Sequence, residues 1–262
     1  MAEDEIKELS EDRLEGKNPI LEALKAGRTI QKLWVQKPVV GSGRLDPTIS
    51  KIINESRKTG AIVIELEKRA LDQMSQTHGH QGVIAQVAMH DYAEIDTMME
   101  IAKEKNESPF LIILDELKDS YNLGSILRIA DAAGAHGVII PKHRSVGLDA
   151  TVAKASAGAM EYVPVAKVVN LTQTIEELKE KGFWIVGADQ EGTSPYDKID
   201  YKGSLAIVIG SEGEGIGRLV KKNCDFLVTI PMRGQVNSLN AAVATGIIVF
   251  EAAKQRNLAK KI

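Results

Sequence analysis

Three short segments between residues 119 and 246 carry side chains whose types and spacing could do chemistry. In the first, DSYNLGSILRIADAAG, Asn122 can both donate and accept hydrogen bonds and Gly124 lets a backbone approach closely. Arg128 lies six residues beyond Asn122, and its planar fork suits phosphate. The second, IVIGSEGEGIG, sets glycines 210, 213, 215 and 217 around Glu212, a loop able to present backbone N–H and C=O groups to a ligand. The third, IPMRGQVNSLNAAVATG, runs from Ile230 and Met232 to Ser238, Leu239 and Asn240 and then into an apolar stretch. Each segment also has a plain structural reading: Asn122 or Ser238 as a helix cap, Arg128 as a surface cation, the glycines as a tight turn. The glycine spacing is not the dinucleotide fingerprint, and it lacks the Gly-Lys-Ser/Thr of a phosphate-binding P-loop.

The elements that must hold these segments follow from hydrophobic periodicity. FLIILDEL, GVIIP, YVPVAKV, FWIVGAD, LAIVIGS and FLVTIPM are short, mostly continuous apolar runs. Helical stretches over 124–133, 149–159, 171–181 and 215–222 separate most of them, and a long apolar helix with a basic end closes the chain. That alternation predicts a parallel sheet covered on both faces. Ligands in such sheets bind beyond the carboxyl ends of strands, which is where Asn122 falls. Ahead of it lies a smaller α/β unit. NPILEALKAG and LDPTISKIINESRKTG read as helices, the second with Asp46 as N-cap, Pro47 in its first turn and Gly60 as terminator. IQKLWVQ, AIVIEL and GVIAQVAM read as strands, and EKRALDQMS as a short helix. The division expected is an acidic leader 1–15, a small α/β domain 16–92, a connection 93–108 and a parallel-sheet domain 109–262.

Composition narrows the function classes. No run approaches the ~20 apolar residues of a membrane helix. The acidic first fifteen residues do not read as a signal peptide, and the single cysteine, Cys224, excludes an internal disulfide. Together these lead to a cytoplasmic, non-membrane protein. Cys224 is either a reactive thiol or a small residue at a strand start. The net charge of −3 does not announce a nucleic-acid partner, but residues 16–92 hold eleven bases against seven acids. That excess fits either phosphate binding or a solvated charged face. His78 and His80 resemble a metal pair, yet no Cys or carboxylate partners them at ligand spacing, so no metal is expected and they read as a loop or phosphate contact.

Taken together, the segments resemble motifs 1, 2 and 3 of the SpoU/TrmH class of RNA ribose methyltransferases. The matching residues are Asn122-Leu-Gly-x-x-x-Arg128, Gly210-Ser-Glu-Gly-Glu-Gly215 and Ile230-Pro-Met through Ser238-Leu-Asn240. EGKNPILEALKAG and HGHQGVIA are similar to the substrate-binding domain of the bacterial 23S rRNA guanosine-2′-O-methyltransferase subgroup. The resemblance implies an L30e-like domain followed by a parallel-sheet domain with a trefoil knot, and a homodimer. It implies S-adenosylmethionine as cofactor, held near Gly210, Gly215, Ile230, Met232 and Leu239. It also implies a reaction centre of Asn122, Arg128, Glu212, Ser238 and Asn240 acting on RNA, with 23S rRNA favoured and tRNA the alternative. A non-catalytic RNA-binding assembly factor on the same scaffold is the other reading. By family analogy Arg128 is the base or a phosphate clamp. The clamp is the better chemistry, because a free guanidinium keeps its proton up to pH ~12. Ser120 and Ala242 depart from the family pattern, which commonly has Pro and Ser there.

Overall fold

The computed structural model describes residues 13–38, 46–87, 90–235 and 238–259, without the side chains of 258 and 259. Most of the acidic leader, Ala88 and Met89 of the third strand segment, and Val236 and Asn237 of the third motif lie outside the described residues. The chain divides into two compact units, Met1–Asp91 with Gly147–Tyr162, and Tyr92–Val146 with Val163–Ile262.

In the first unit, strands β1 (Arg13–Glu15), β2 (Ile30–Gln36), β3 (Ile62–Leu66) and β4 (Val83–Val87) form a sheet ordered β1-β4-β2-β3. Helices α1 (Lys17–Lys25), α2 (Pro47–Lys58) and α3 (Lys68–Met74) alternate with the strands. Asp46 caps α2 by accepting from the N–H groups of Thr48 and Ile49, and Pro47 occupies the first turn, where its missing N–H costs nothing. Ile49, Ile52 and Ile53 recur at helical spacing and are buried. Arg13–Glu15, the end of the expected leader, is a strand paired antiparallel with β4, and Glu15 is wholly buried. Its carboxylate accepts from Ser75 Oγ at 2.6 Å, from the N–H groups of Gln76 and Thr77, and from the Thr77 hydroxyl. Burial opposes its ionisation, but these bonds prevail and hold its pKa below the usual glutamate value. The segment 147–162 carries helix α6 (Ala150–Ala155), which joins this unit through Lys154 on Thr77 Oγ1 at 3.2 Å, while Arg28 pairs with Glu161 at 2.8 Å.

In the second unit, strands β5 (Phe110–Leu114), β6 (Gly137–Pro141), β7 (Val165–Val168), β8 (Trp184–Ala188), β9 (Ser194–Pro195), β10 (Leu205–Ile209) and β11 (Phe226–Thr229) form one sheet. Its order is β7-β6-β5-β10-β8-β11-β9, and every pairing is parallel. Strands β5, β6 and β10 are buried at every residue, as their unbroken apolar runs require. The helices are α4 (Ile95–Glu104), α5 (Ser120–Ala133), α7 (Leu171–Glu180), α8 (Arg218–Asn223) and α9 (Ala241–Ala259). Met98 of α4 is buried in the core that Leu111, Ile139, Ile175 and Val208 share, so the stretch 93–108 packs as well as connects. Gly137 makes room for it, since a side chain there would start 2.2 Å from Met98 Sδ. Helices α5 and α9 pack against each other. Among the described residues, no helix is long and apolar enough to cross a membrane.

Sheet order decides where a ligand can go. The chain runs outward through β6 and β7 and returns on the other side of β5 as β8, and β10 inserts between them. Connections leaving neighbouring strands in opposite directions open a crevice beyond their carboxyl ends.

Candidate active site

Asn122 is free for chemistry because another residue caps its helix. Asp119 is the N-cap of α5 and accepts from the Asn122 N–H at 2.9 Å, which leaves the Asn122 amide to turn away. Ser120 takes the first helical position, so the helix starts without the family's proline.

The loop after β10 is shaped by close backbone approach. A Cβ on Gly210 would fall 2.0 Å from the carbonyl carbon of Gly215, so no other residue fits. Ser211 and Gly215 exchange backbone hydrogen bonds at 3.1 and 3.0 Å, and Gly213 and Gly215 take the left-handed conformation. Asp115, one residue past β5, latches the far end by accepting the Gly217 N–H at 2.8 Å. Burial pushes the Asp115 carboxyl above the usual aspartate value, against the pull of that bond, and neighbouring Glu116 adds to the rise.

The third motif meets the other two at Asn240. Its Oδ1 accepts from the N–H groups of Ala242 and Val243 at 3.0 and 3.2 Å, which makes Asn240, not Ser238, the cap of α9. Its Nδ2 donates to Asn122 Oδ1 at 2.8 Å and to Glu212 Oε1 at 2.6 Å. Asn122 Nδ2 donates to the same Glu212 oxygen at 2.9 Å. One residue from each motif therefore joins a single network, and Glu212 Oε1 is its hub.

Beside the network opens a cavity of about 1010 Å³. Gly210, Gly215, Ile230, Met232 and Leu239 line it, as do Glu212, Ser238 and Asn240. Asn122 touches Glu212 and Asn240 from behind. Arg128 is exposed on α5 and does not line the cavity. Ala242 is buried on α9. Two lining groups escaped the sequence reading. Asp189, one residue past β8, pairs with Lys221 at 2.8 Å, and Lys221 also reaches Glu191 at 2.6 Å. Bonding first to Asp189 and then to Glu191 holds the Lys221 ammonium above the usual lysine range. Asp115 and Asp189 share a signal that could have found them, an acid directly after an apolar parallel strand. Lys221 carried none.

The other candidates are accounted for locally. Burial pushes the Cys224 thiol up to about 12, which removes its nucleophilic form at neutral pH. His80 is buried between Asp72, at 2.9 Å, and the Gly82 N–H, at 3.0 Å, so it serves its loop. Among the described residues, no group of three or more His, Cys, Asp or Glu could hold a metal ion.

This geometry has known counterparts. The model of the SpoU rRNA Methylase family matches residues 109–250. A protein of Bacillus subtilis named for the TrmH family of tRNA/rRNA methyltransferases, YacO, is 50% identical over 246 residues, 94% of this chain and 96% of that one. The chain belongs to the SpoU rRNA methylase family. A second model, described as RNA 2′-O ribose methyltransferase substrate binding, matches residues 13–93. A TrmH family relative of Staphylococcus haemolyticus is 46% identical over 92% of this chain and 95% of its own. Among solved structures, the SpoU methyltransferase AviRb of Streptomyces viridochromogenes with AdoMet superposes with a TM-score of 0.80 at 25% identity, covering 96% of this chain and 92% of that one. The AdoMet-bound rRNA methyltransferase of Sinorhizobium meliloti gives 0.77 at 25% identity, over 95% and 88%.

The protein is thus an RNA methyltransferase of the SpoU/TrmH family that uses S-adenosylmethionine. Its residues fit that cofactor. The cavity is at the upper end of the ~300–1,000 Å³ usual for small-molecule sites. Ile209, Ile230, Leu239 and Ile248 offer an apolar wall for a purine, while Glu212 brings a carboxylate to the same cavity.

Proposed function

We propose that this family member methylates the ribose 2′-OH of a guanosine in 23S rRNA, as a cytoplasmic homodimer. The Asn122–Glu212–Asn240 network at the rim of the cavity carries this reading, because it joins all three motifs at one place. The substrate-binding match over residues 13–93 supports a ribose target. An A. aeolicus TrmH/SpoU tRNA modifying enzyme covers only 62% of this chain, at 27% identity and a TM-score of 0.54, so the extra unit here favours a different, larger RNA. The name of the B. subtilis relative keeps tRNA as the second reading.

When bound, S-adenosylmethionine supplies an electrophilic methyl group. The chain's own part is alignment and charge. The shared hydrogen bonds fix Glu212 Oε1, and Ser238 and Asn240 face the cavity where a ribose would enter. Holding two reactants in line can contribute up to ~7–11 kcal/mol to a displacement of this kind. Arg128 would clamp the target phosphate and stabilise the developing alkoxide. Because it is remote from its own cavity, it would serve the partner's. Exposed Tyr121, Val243 and Phe250 on α5 and α9 supply an apolar surface for that second copy. We further read the chain after Gly210 as making a trefoil knot, with the closing helix emerging through it, supported by the insertion of β10 and the tight Gly210–Gly215 passage.

The test is transfer of tritiated methyl to unmodified 23S rRNA and tRNA, followed by alkaline digestion, which spares the linkage beside a 2′-O-methyl group. Alkali-resistant label in 23S rRNA is expected, and alkali-labile label would exclude the ribose. Arg128→Ala should lose transfer while calorimetry still records cofactor binding, and near-normal turnover would remove Arg128 from the site.

A further inference from the structure

Asp189 has an oxygen the fold does not use. Its backbone N–H continues the ladder from β8 to Val228 at 2.9 Å, so the residue is held like part of the strand. The side chain is only 9% exposed. Oδ1 takes Lys221 Nζ at 2.8 Å and the Glu191 N–H at 2.9 Å. Among the described residues, none donates to Oδ2. That oxygen lies beside the glycine loop, 3.8 Å from where a side chain on Gly215 would begin. Asp189, Lys221 and Gly215 all line the cavity. A carboxylate held by a cation and a backbone amide thus keeps one oxygen unsatisfied in a site that a ligand would dehydrate. Leaving it so would be costly, and the ligand must bring the donor.

S-adenosylmethionine has three kinds of donor: an adenine amino group, a ribose diol and an α-ammonium. The ammonium is disfavoured here because Lys221 already sits on this carboxylate and would repel a second cation. The adenine amino group needs a single acceptor, which backbone carbonyls of the 210–215 loop can provide. The diol has two adjacent neutral O–H donors. An acid past the end of a parallel strand is a recurring partner for ribose hydroxyls.

We propose that Asp189 anchors the cofactor's ribose, its Oδ2 accepting from the 2′- and 3′-hydroxyls, with Lys221 as the positioning residue that fixes the carboxylate. The inference rests on the reading of this cavity as the cofactor site.

Calorimetry on the full chain tests it without turnover. The ligands are S-adenosylhomocysteine, its 2′-deoxy and 3′-deoxy analogues, and the analogue lacking the amino group. On the wild type, the deoxy analogues should bind ~10-fold or more weakly, the worth of a hydrogen bond to a charged group. Asp189→Asn presents an amide in place of the carboxylate and should weaken the parent ligand comparably. The deoxy change should then cost the variant little more, because both remove one interaction. Loss of the amino group should cost wild type and variant alike. The proposal is overturned if the wild type binds the deoxy analogues as it binds the parent, a result that needs no variant to fold. It is equally overturned if Asp189→Asn keeps the full deoxy penalty or loses discrimination at the amino group instead. Ala244→Phe, which fills the cavity, should abolish binding of every ligand. Intact binding there would sink the cavity reading itself.

Discussion

At Asn240 one amide does two things that a sequence cannot separate. Oδ1 closes the first turn of α9 and Nδ2 ties Asn122 to Glu212. Asn240→Ser should keep the cap and leave stability within ~0.5 kcal/mol of wild type, whereas Asn240→Ala should lose ~1 kcal/mol. Both should lose methyl transfer by roughly 10²-fold, the scale of a small misplacement at a reacting centre. Thermal melts and the tritium assay separate the two roles, and an active Asn240→Ser would make the residue a cap alone. Asp115 gives a pH signature. Its pKa is raised by burial, so its contribution to stability is fully present below the unfolded value and is lost as pH rises through the folded one. Asp115→Asn keeps the acceptor for the Gly217 N–H but cannot ionise. Its melting temperature should therefore gain on the wild type as pH rises from 4 to 7, and a constant gap would contradict the assignment. At this scale the sequence picked out Asn122, Glu212 and Asn240, which the structure brings together, more readily than it told caps from free side chains. Asn122 and Ser238 were both plausible caps, but Asp119 and Asn240 hold those positions. The difference lies in backbone angles that residue type does not dictate.

The strands were the most legible elements, because unbroken runs such as FLIIL and LAIVI can be buried on both faces only in a parallel sheet. The helix starts were less so. The closing helix begins at Ala241 because its cap is Asn240, and α5 begins at Ser120, ahead of the apolar periodicity, because Asp119 accepts the Asn122 N–H. The two-residue β9 left no pattern to read, since it is defined only by its neighbour β11. The helical stretch 149–159 read as one more cover for the sheet, yet its Lys154 bonds Thr77 and the segment 147–162 belongs to the first unit. Such long-range choices depend on partners far away in the chain. The glycine loop is the element most sensitive to change. Gly210→Ala would drive a methyl into the Gly215 backbone, and should cost ~1–3 kcal/mol of stability together with cofactor binding. A melt and a titration on the same sample check this, and unchanged affinity would mean that the loop does not shape the site.

For the whole molecule, the second unit holds a complete cavity but keeps Arg128 outside it. A symmetric pair resolves this if each chain supplies its arginine to the other, as closed two-fold interfaces permit. Phe250→Asp should then yield monomers by ultracentrifugation, with transfer lost and cofactor binding reduced far less. Mixing inactive Arg128→Ala with inactive Asn240→Ser chains should restore part of the activity, because one site of each mixed pair is whole. No recovery would place Arg128 in its own chain's site. Neither the proposed pairing nor the proposed knot could be read from periodicity, which reports which face of an element is buried but not the order in which the chain threads. The measurement that bears most directly on ribose methylation at this site is nucleoside mass spectrometry of unmodified 23S rRNA incubated with S-adenosylmethionine and the wild-type or Asn240→Ser chain. 2′-O-Methylguanosine is expected with the wild type and none above background with the variant, whereas a methylated base, or equal yields from both chains, would overturn the ribose target or the role of Asn240.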